Sequence, residues 1–401
     1  MNEPRRGTPD FLLLLLTFLL VGFGLVMVFS ASSATALSSE KFNNDALYFV
    51  KKQAIAAIIG TIGMFFLMNV PVKRIRPLLR PAFLIVLVLL ALVPFFGYEA
   101  NGARSWFAIP GFGSMQPSEL AKIGIILYLA LLISKKGEKF RDLKKGLLPA
   151  IIIVGIVAFL IMLQPDFGST MILVLAASLL IVVGGANLKH IFVAVACVMA
   201  IAAVAVAVYL FSAETLGYRM ERIACYLNPW SQPLDSCYQI VQSLYALGHG
   251  EWTGAGIGRS IQKLHYLPEA YNDFIFAIIG EEIGFIGTVL FLLVYMAFLW
   301  RGIIISLRCS DPFESLAGTG IIGLIGIQAL INMGGVTGAI PMTGVTLPLI
   351  SYGGTSLMIT MFSIGILLSI SRNTNRAVRE SQRQEARPKP QVRQQVFKAM
   401  R

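Results

Sequence analysis

The stretch Tyr266 to Glu282 reads YLPEAYNDFIFAIIGEE. It sets Glu269 and Asp273 at the mouth of a long apolar run and puts Glu281 and Glu282 inside that run. Ionisable side chains at membrane depth are costly, so they pair with one another or serve a function. A carboxylate at the boundary of water and lipid, as expected for Asp273, can act as general base toward a hydroxyl brought within hydrogen-bond reach. Other clusters could join it. Arg104 and Trp106 in GARSWF offer a cation and an interfacial ring. Glu119 and Lys122 in QPSELAK lie three residues apart near the start of an apolar segment, so they share a helix face and can pair. That pair either satisfies itself or faces a ligand. Asp166 in QPDFGST suits helix capping and chemistry equally. Arg219 and Arg222 suit a phosphate-bearing ligand, because guanidinium forks match phosphate oxygens, and Lys263 adds a further cation. The alternative is a rim of cations on lipid head groups.

Two glycine-rich segments bear on the same question. Asn332 to Ser356 interrupts apolar sequence with glycine and proline. Broken helix at membrane depth is tolerated where it is buried in protein or lines a cavity, which would make Ser351 and Tyr352 wall groups. Close helix packing through small residues is the other reading. The run GHGEWTGAGIG from Gly248 lacks the Gly-Lys-Ser/Thr of a nucleotide loop. It reads as a tight, multiply turned loop, or as backbone N–H groups cradling a phosphate.

The elements that must position these groups are helices in a membrane. Of 401 residues, 56% are hydrophobic and only 13% charged, with a mean hydropathy of +0.74. That composition excludes a soluble globular domain. An all-α, polytopic membrane protein is expected, with about ten spans at roughly 11–32, 53–70, 81–97, 116–134, 147–163, 168–185, 189–212, 274–300, 315–336 and 346–370. Ala34-Thr35-Ala36 resembles a signal-peptidase site, but the apolar run before it is too long for a signal peptide, so a retained first helix is expected. Most of the 33 basic residues fall in the termini and alternate loops, which predicts both termini on the cytoplasmic side. The net charge of +12 therefore reflects topology, and no nucleic-acid signature accompanies it. Residues 212–272 form one large outer loop, in which Tyr238 to Leu247 reads as an amphipathic helix lying on the bilayer. Cys225 and Cys237 share that loop, as a disulfide or as two thiols. Residues 1–10 form a short cytoplasmic start, and the basic tail 373–401 is expected to be disordered.

YLPEAYNDFIFAIIGEE, YQIVQSLYALGHGEWTGAGIGRSIQK, GARSWF with QPSELAK, QPDFGST and PMTGVTLPLISYGGTSL together resemble the SEDS family (shape, elongation, division and sporulation), which includes FtsW, RodA and SpoVE. The resemblance runs over roughly residues 11–372, and YRMER with NPW and YQIVQS is nearer to FtsW and SpoVE than to RodA. It implies a peptidoglycan glycosyltransferase of the bacterial cytoplasmic membrane, polymerising lipid II on the outer face without a nucleotide. The family's essential outer-loop aspartate matches Asp273, and its other motif residues match Arg104, Trp106, Glu119, Lys122, Asp166, Arg222, Lys263, Glu269 and Ser351. Tyr271 stands where many members carry histidine, which puts an imidazole role in doubt. The resemblance also implies a nascent glycan strand, a class B penicillin-binding protein, other division proteins and membrane lipids as partners, and a place at the division septum. Arg104, Arg222, Lys263 or a divalent cation, magnesium or manganese, would balance the leaving pyrophosphate. A lipid II flippase or a noncatalytic division scaffold would share much of this pattern.

Overall fold

The computed structural model describes residues 7–100, 103–109, 113–187, 189–190 and 224–385. The helices are α1 (Phe11–Leu37), α2 (Tyr48–Asn69), α3 (Leu79–Phe96), α4 (Pro117–Lys136), α5 (Leu148–Met162), α6 (Phe167–Val183), α7 (Tyr238–His249), α8 (Ile275–Leu307), α9 (Pro312–Val336) and α10 (Gly354–Glu385). Among the described residues, eight segments are long and apolar enough to cross a membrane, and α6 is a shorter apolar helix. All but the first two residues of the expected span at 189–212 lie outside the described residues, as do Arg219 and Arg222.

The two ends of the bundle follow from its contacts. Asp10 caps α1 by accepting from the Leu13 N–H at 3.0 Å. The same carboxylate takes a bidentate contact from Arg301 near the end of α8, the shorter arm 2.6 Å. Burial opposes the charge on Asp10, yet the Arg301 guanidinium and the Leu13 N–H hold its carboxyl below the ordinary value. The Ser371 hydroxyl of α10 accepts from the Asp10 N–H. The start of α1 and the ends of α8 and α10 therefore lie together. The starts of α4, α6, α8 and α10 lie at the opposite end.

α9 and α10 are the most enclosed spans, while α1, α2, α3, α5 and α8 carry the exposed Leu, Ile and Phe residues that would meet lipid. α2 lies tightly along α10: a Cβ on Gly365 would sit 2.6 Å from the Met64 carbonyl oxygen. Small residues thus let the backbones approach.

The expected all-α fold holds with one addition, and two expectations need correction. The fold is helical, but β1 (Tyr98–Ala100), β2 (Ala103–Ile109) and β3 (Gly113–Met115) add an antiparallel meander in the order β1-β2-β3. The aromatic and β-branched residues Trp106, Phe107 and Ile109 favour that strand. The tail is not disordered from Asn373 onward, because α10 continues to Glu385. NTNRAVRESQRQE is rich in good helix formers, and extending an existing helix avoids the cost of nucleation. Asn373 and Asn375 donate to Glu314 and to the Thr8 carbonyl, which ties that extension to the bundle. Finally, α7 does not rest on lipid alone. Its Ser243 hydroxyl donates to the Val336 carbonyl at 2.7 Å, and its Ile240, Val241 and Ala246 are buried.

The glycine run after α7 has a structural task. α8 is broken at Gly284, whose φ is 66°. The loop zips onto that break. Ala255 and Gly256 N–H groups donate to the Glu281 and Glu282 carbonyls, while Phe285 and Ile286 N–H groups donate to Glu251 and Trp252 carbonyls, all within 3.1 Å. A Cβ on Gly284 would stand 2.2 Å from the Gly254 nitrogen, so only glycine fits there. The backbone groups freed by the break are satisfied by protein, as membrane depth requires.

Candidate active site

At the end of the bundle away from Asp10, a cavity of about 430 Å³ opens between the starts of α4, α6, α8 and α10, the side of α9 and the meander. Asp273 lines it just before α8 begins. Its own backbone carbonyl accepts from the Asn332 side chain at 2.7 Å. A Cβ on Gly344 would lie 3.3 Å from Asp273 Oδ2, and the φ of Gly344 is +68°, so glycine keeps this wall close to the carboxylate.

After α9 the chain does not leave the bundle. Residues 337–353 fold back along it, and Asn332 and Gln328 hold the returning strand through the Val345 and Thr346 carbonyls at 2.7 and 3.1 Å. Gln328 lies nine residues before the cap residue Thr337, roughly 13 Å down the helix at 1.5 Å per residue. The broken stretch thus re-enters the protein at depth and forms the cavity wall. Ser351 serves this turn: its hydroxyl accepts from the Leu347 N–H at 2.8 Å, and its carbonyl accepts from Gln53. Ser351 does not line the cavity.

Trp106, Glu119, Lys122 and Asp166 line the cavity with Asp273. Lys122, 2% exposed, donates to Glu119 at 2.7 Å and to Gln328 at 2.8 Å. The pair satisfies itself and also borders the cavity. Asp166 caps α6 and also lines the cavity. One oxygen caps α6 through the Ser169 N–H at 2.9 Å, and the other accepts from Gln116 and Ser118 at 3.1 and 3.4 Å.

Other predicted residues stand elsewhere. Arg104 is exposed and 3.7 Å from Glu99 on the neighbouring strand. Lys263 is buried, 2.9 Å from Glu282 and 3.0 Å from Ser30. It balances an intramembrane carboxylate that would otherwise be isolated. Glu281 is held in the same region by His249, Ser260 and the Ile261 N–H. Glu269 has a positive φ of 54° and accepts from the Asn272 side chain, so it shapes the turn ahead of Asp273. The phosphate-binding cations expected here are thus absent from the cavity wall among the described residues. Gln116, Gln328, Thr346, Thr355 and Ser356 line it and had not been singled out. Gln328 and Asn332, one turn apart in an apolar helix, carried a readable signal.

Tyr352 lines the cavity as expected of a wall group, and it and Tyr271 pack on Phe49 at centroid distances of 5.1 and 4.4 Å. Burial pushes the Tyr352 phenol up to about 12 and raises Tyr271 further, so both stay neutral donors at ordinary pH. Ahead of α7, Cys225 and Cys237 form a disulfide. Its loop packs on Ile340 and Met342, just before the cavity wall. Loss of a cross-link closing a loop this short is expected to cost about 3 kcal/mol on the chain-entropy scale. Cys225→Ser/Cys237→Ser, or a thiol reductant on the native protein, should therefore lower the thermal unfolding temperature; an unchanged melt would show the link to be dispensable.

The profile of the family described as "Cell cycle protein", covering FtsW, RodA and SpoVE, matches residues 11–376. The chain belongs to that family. It is 43% identical over 370 residues to stage V sporulation protein E of Bacillus subtilis, covering 92% of this chain and 98% of that one. It is 39% identical over 364 residues to a probable peptidoglycan glycosyltransferase FtsW of Geobacter metallireducens, covering 90% and 94%. Among solved structures it resembles a chain of a peptidoglycan synthase complex that coordinates polymerization and crosslinking, with a TM-score of 0.75 and 29% identity over 91% of this chain and 98% of that one. It also resembles the rod shape determining protein RodA of Thermus thermophilus, with a TM-score of 0.64 and 27% identity over 91% and 97%. Its helical fold is like that of RodA.

Proposed function

We propose that this protein is a peptidoglycan glycosyltransferase that polymerises lipid II at the outer face of the cytoplasmic membrane. The observation that carries the reading is the meeting of Asp273, Asp166 and the Glu119–Lys122 pair in one cavity where helices α4, α6 and α10 all begin. The cavity lies at the end opposite the basic loops, so the positive-inside rule puts it outside and both termini in the cytoplasm.

Asp273 accepts the proton of the acceptor sugar's 4-hydroxyl as that oxygen attacks the donor's anomeric carbon. The polyprenyl pyrophosphate leaves from the opposite side, and the configuration inverts. Three helix N-termini present partial positive charge toward the leaving group. They face two carboxylates beyond the Glu119–Lys122 pair, so added countercharge is needed. Among the described residues no three His, Cys, Asp or Glu side chains gather into a metal cage. Asp166 and Asp273 are the carboxylates on the cavity wall that would hold magnesium or manganese, which are usually held by one or two carboxylates plus substrate phosphates; Asp166 would have to release Gln116 and Ser118 to do so. Such an ion would supply charge stabilisation to the departing pyrophosphate.

The expected partner is a class B penicillin-binding protein that crosslinks the strands, and septal synthesis is the expected setting. Relatives named FtsW support that setting, and depletion should then give undivided filaments. Normal division with failure only in spores would replace it by a sporulation role.

The enzymatic reading is tested with the purified protein, its class B partner and labelled lipid II supplied without any need for translocation. A ladder of glycan strands is expected, reduced at least about tenfold by EDTA and restored by magnesium. Lipid II movement across vesicles with no polymer would favour a flippase. Full activity in EDTA would remove the cation from the account.

A further inference from the structure

A second cavity, of about 460 Å³, lies on the flank of the bundle, far from Asp273. α3 packs closely along α4 but touches α5 little, leaving a wedge between α3 and α5. Its floor is Phe83 stacked on Tyr128, with ring centroids 4.5 Å apart and planes 19° apart. Leu84 and Leu87 form one wall, and Ile153 and Ile156 the other. Leu84 is 62% exposed and Ile156 49%, as suits side chains facing lipid.

The mouth of the wedge is not apolar. Arg80, in the first turn of α3, closes the end nearest the basic loops. It is exposed, and among the described residues its guanidinium makes no ion pair or hydrogen bond. Arg76, one turn earlier, shows the contrast. It is 3.8 Å from Asp311 and lies over the Phe313 ring at 5.0 Å, so its charge is satisfied by protein. From Arg80 to Leu87 the wedge extends roughly 10 Å along the helix axis. An unsatisfied guanidinium at the water boundary above an apolar slot matches one ligand class, a phosphate ester carrying an acyl chain.

We infer that this wedge is a binding site for an anionic phospholipid of the leaflet at the basic end, its phosphate on Arg80 and one acyl chain on Phe83, Leu87 and Ile153. The inference does not depend on the proposed catalytic activity. It is tested by native mass spectrometry of the full-length protein released from micelles with added phosphatidylglycerol or phosphatidylcholine of the same chains. The native protein should retain one phosphatidylglycerol in preference to phosphatidylcholine. Arg80→Ala should weaken that retention about tenfold, the scale of one charge-assisted hydrogen bond, and Arg80→Lys should restore part of it. Ile153→Trp, which fills the slot and leaves Arg80 in place, should expel the lipid whichever head group it carries. Equal retention of the two lipids by native protein, or undiminished phosphatidylglycerol on Arg80→Ala or Ile153→Trp, would overturn the assignment. So would a dimer mass lost on Ile153→Trp, which would show a second copy to be the occupant.

Discussion

Lys263→Met is expected to destabilise the protein by about 3–5 kcal/mol, the cost of leaving one member of a buried ion pair without its partner. Glu282 is 1% exposed, and its Oε1 rests on Lys263 and on Ser30. Removing the ammonium strands a carboxylate inside a membrane helix. Lys263→Met/Glu282→Gln removes both charges and should recover most of the loss. Denaturant or thermal unfolding in detergent measures this, together with polymerisation rate per folded molecule. The double variant should polymerise at near the native rate. If Lys263 instead held the pyrophosphate, the single variant would melt normally and the double variant would stay inactive.

Asp273→Asn is expected to slow polymerisation by about 10²–10⁴-fold, the usual contribution of a positioned general base. The substitution keeps the side-chain shape, and the Asn332 bond to its backbone carbonyl is unaffected. The melting temperature is measured on the same sample, so that a folding defect is separated from a catalytic one. Asp273→Glu should also slow polymerisation, because the added methylene moves the carboxylate away from the position a base must hold against the hydroxyl.

The span pattern was legible because each helix needs a long apolar run, and nothing else in the chain imitates one. Asp273, Asp166 and the Glu119–Lys122 pair were legible because charge within apolar sequence is rare and needs a reason. The cations were misplaced for a matching reason. Sequence puts Glu282 inside an apolar run and Lys263 in the loop before it, but does not show that the loop folds back to pair the two beside Ser30 of α1. Arg104 went to Glu99 because the strand register sets the two opposite, and the meander was not foreseen. Asn101-Gly102 between the strands was an available hairpin signal. The depth of the re-entrant segment was also hidden. Glycine and proline marked a break after Val336, but only the bonds from Gln328 and Asn332 fix how far the chain returns.

One measurement goes most directly to the claim that Asp273 takes the acceptor's proton. Lipid II binding and single-turnover bond formation are followed in the same sample of Asp273→Asn protein bound to its class B partner. Binding within a few-fold of native and bond formation reduced by about 10²-fold or more are expected. Bond formation near the native rate, or a loss explained wholly by weaker binding, would contradict that claim.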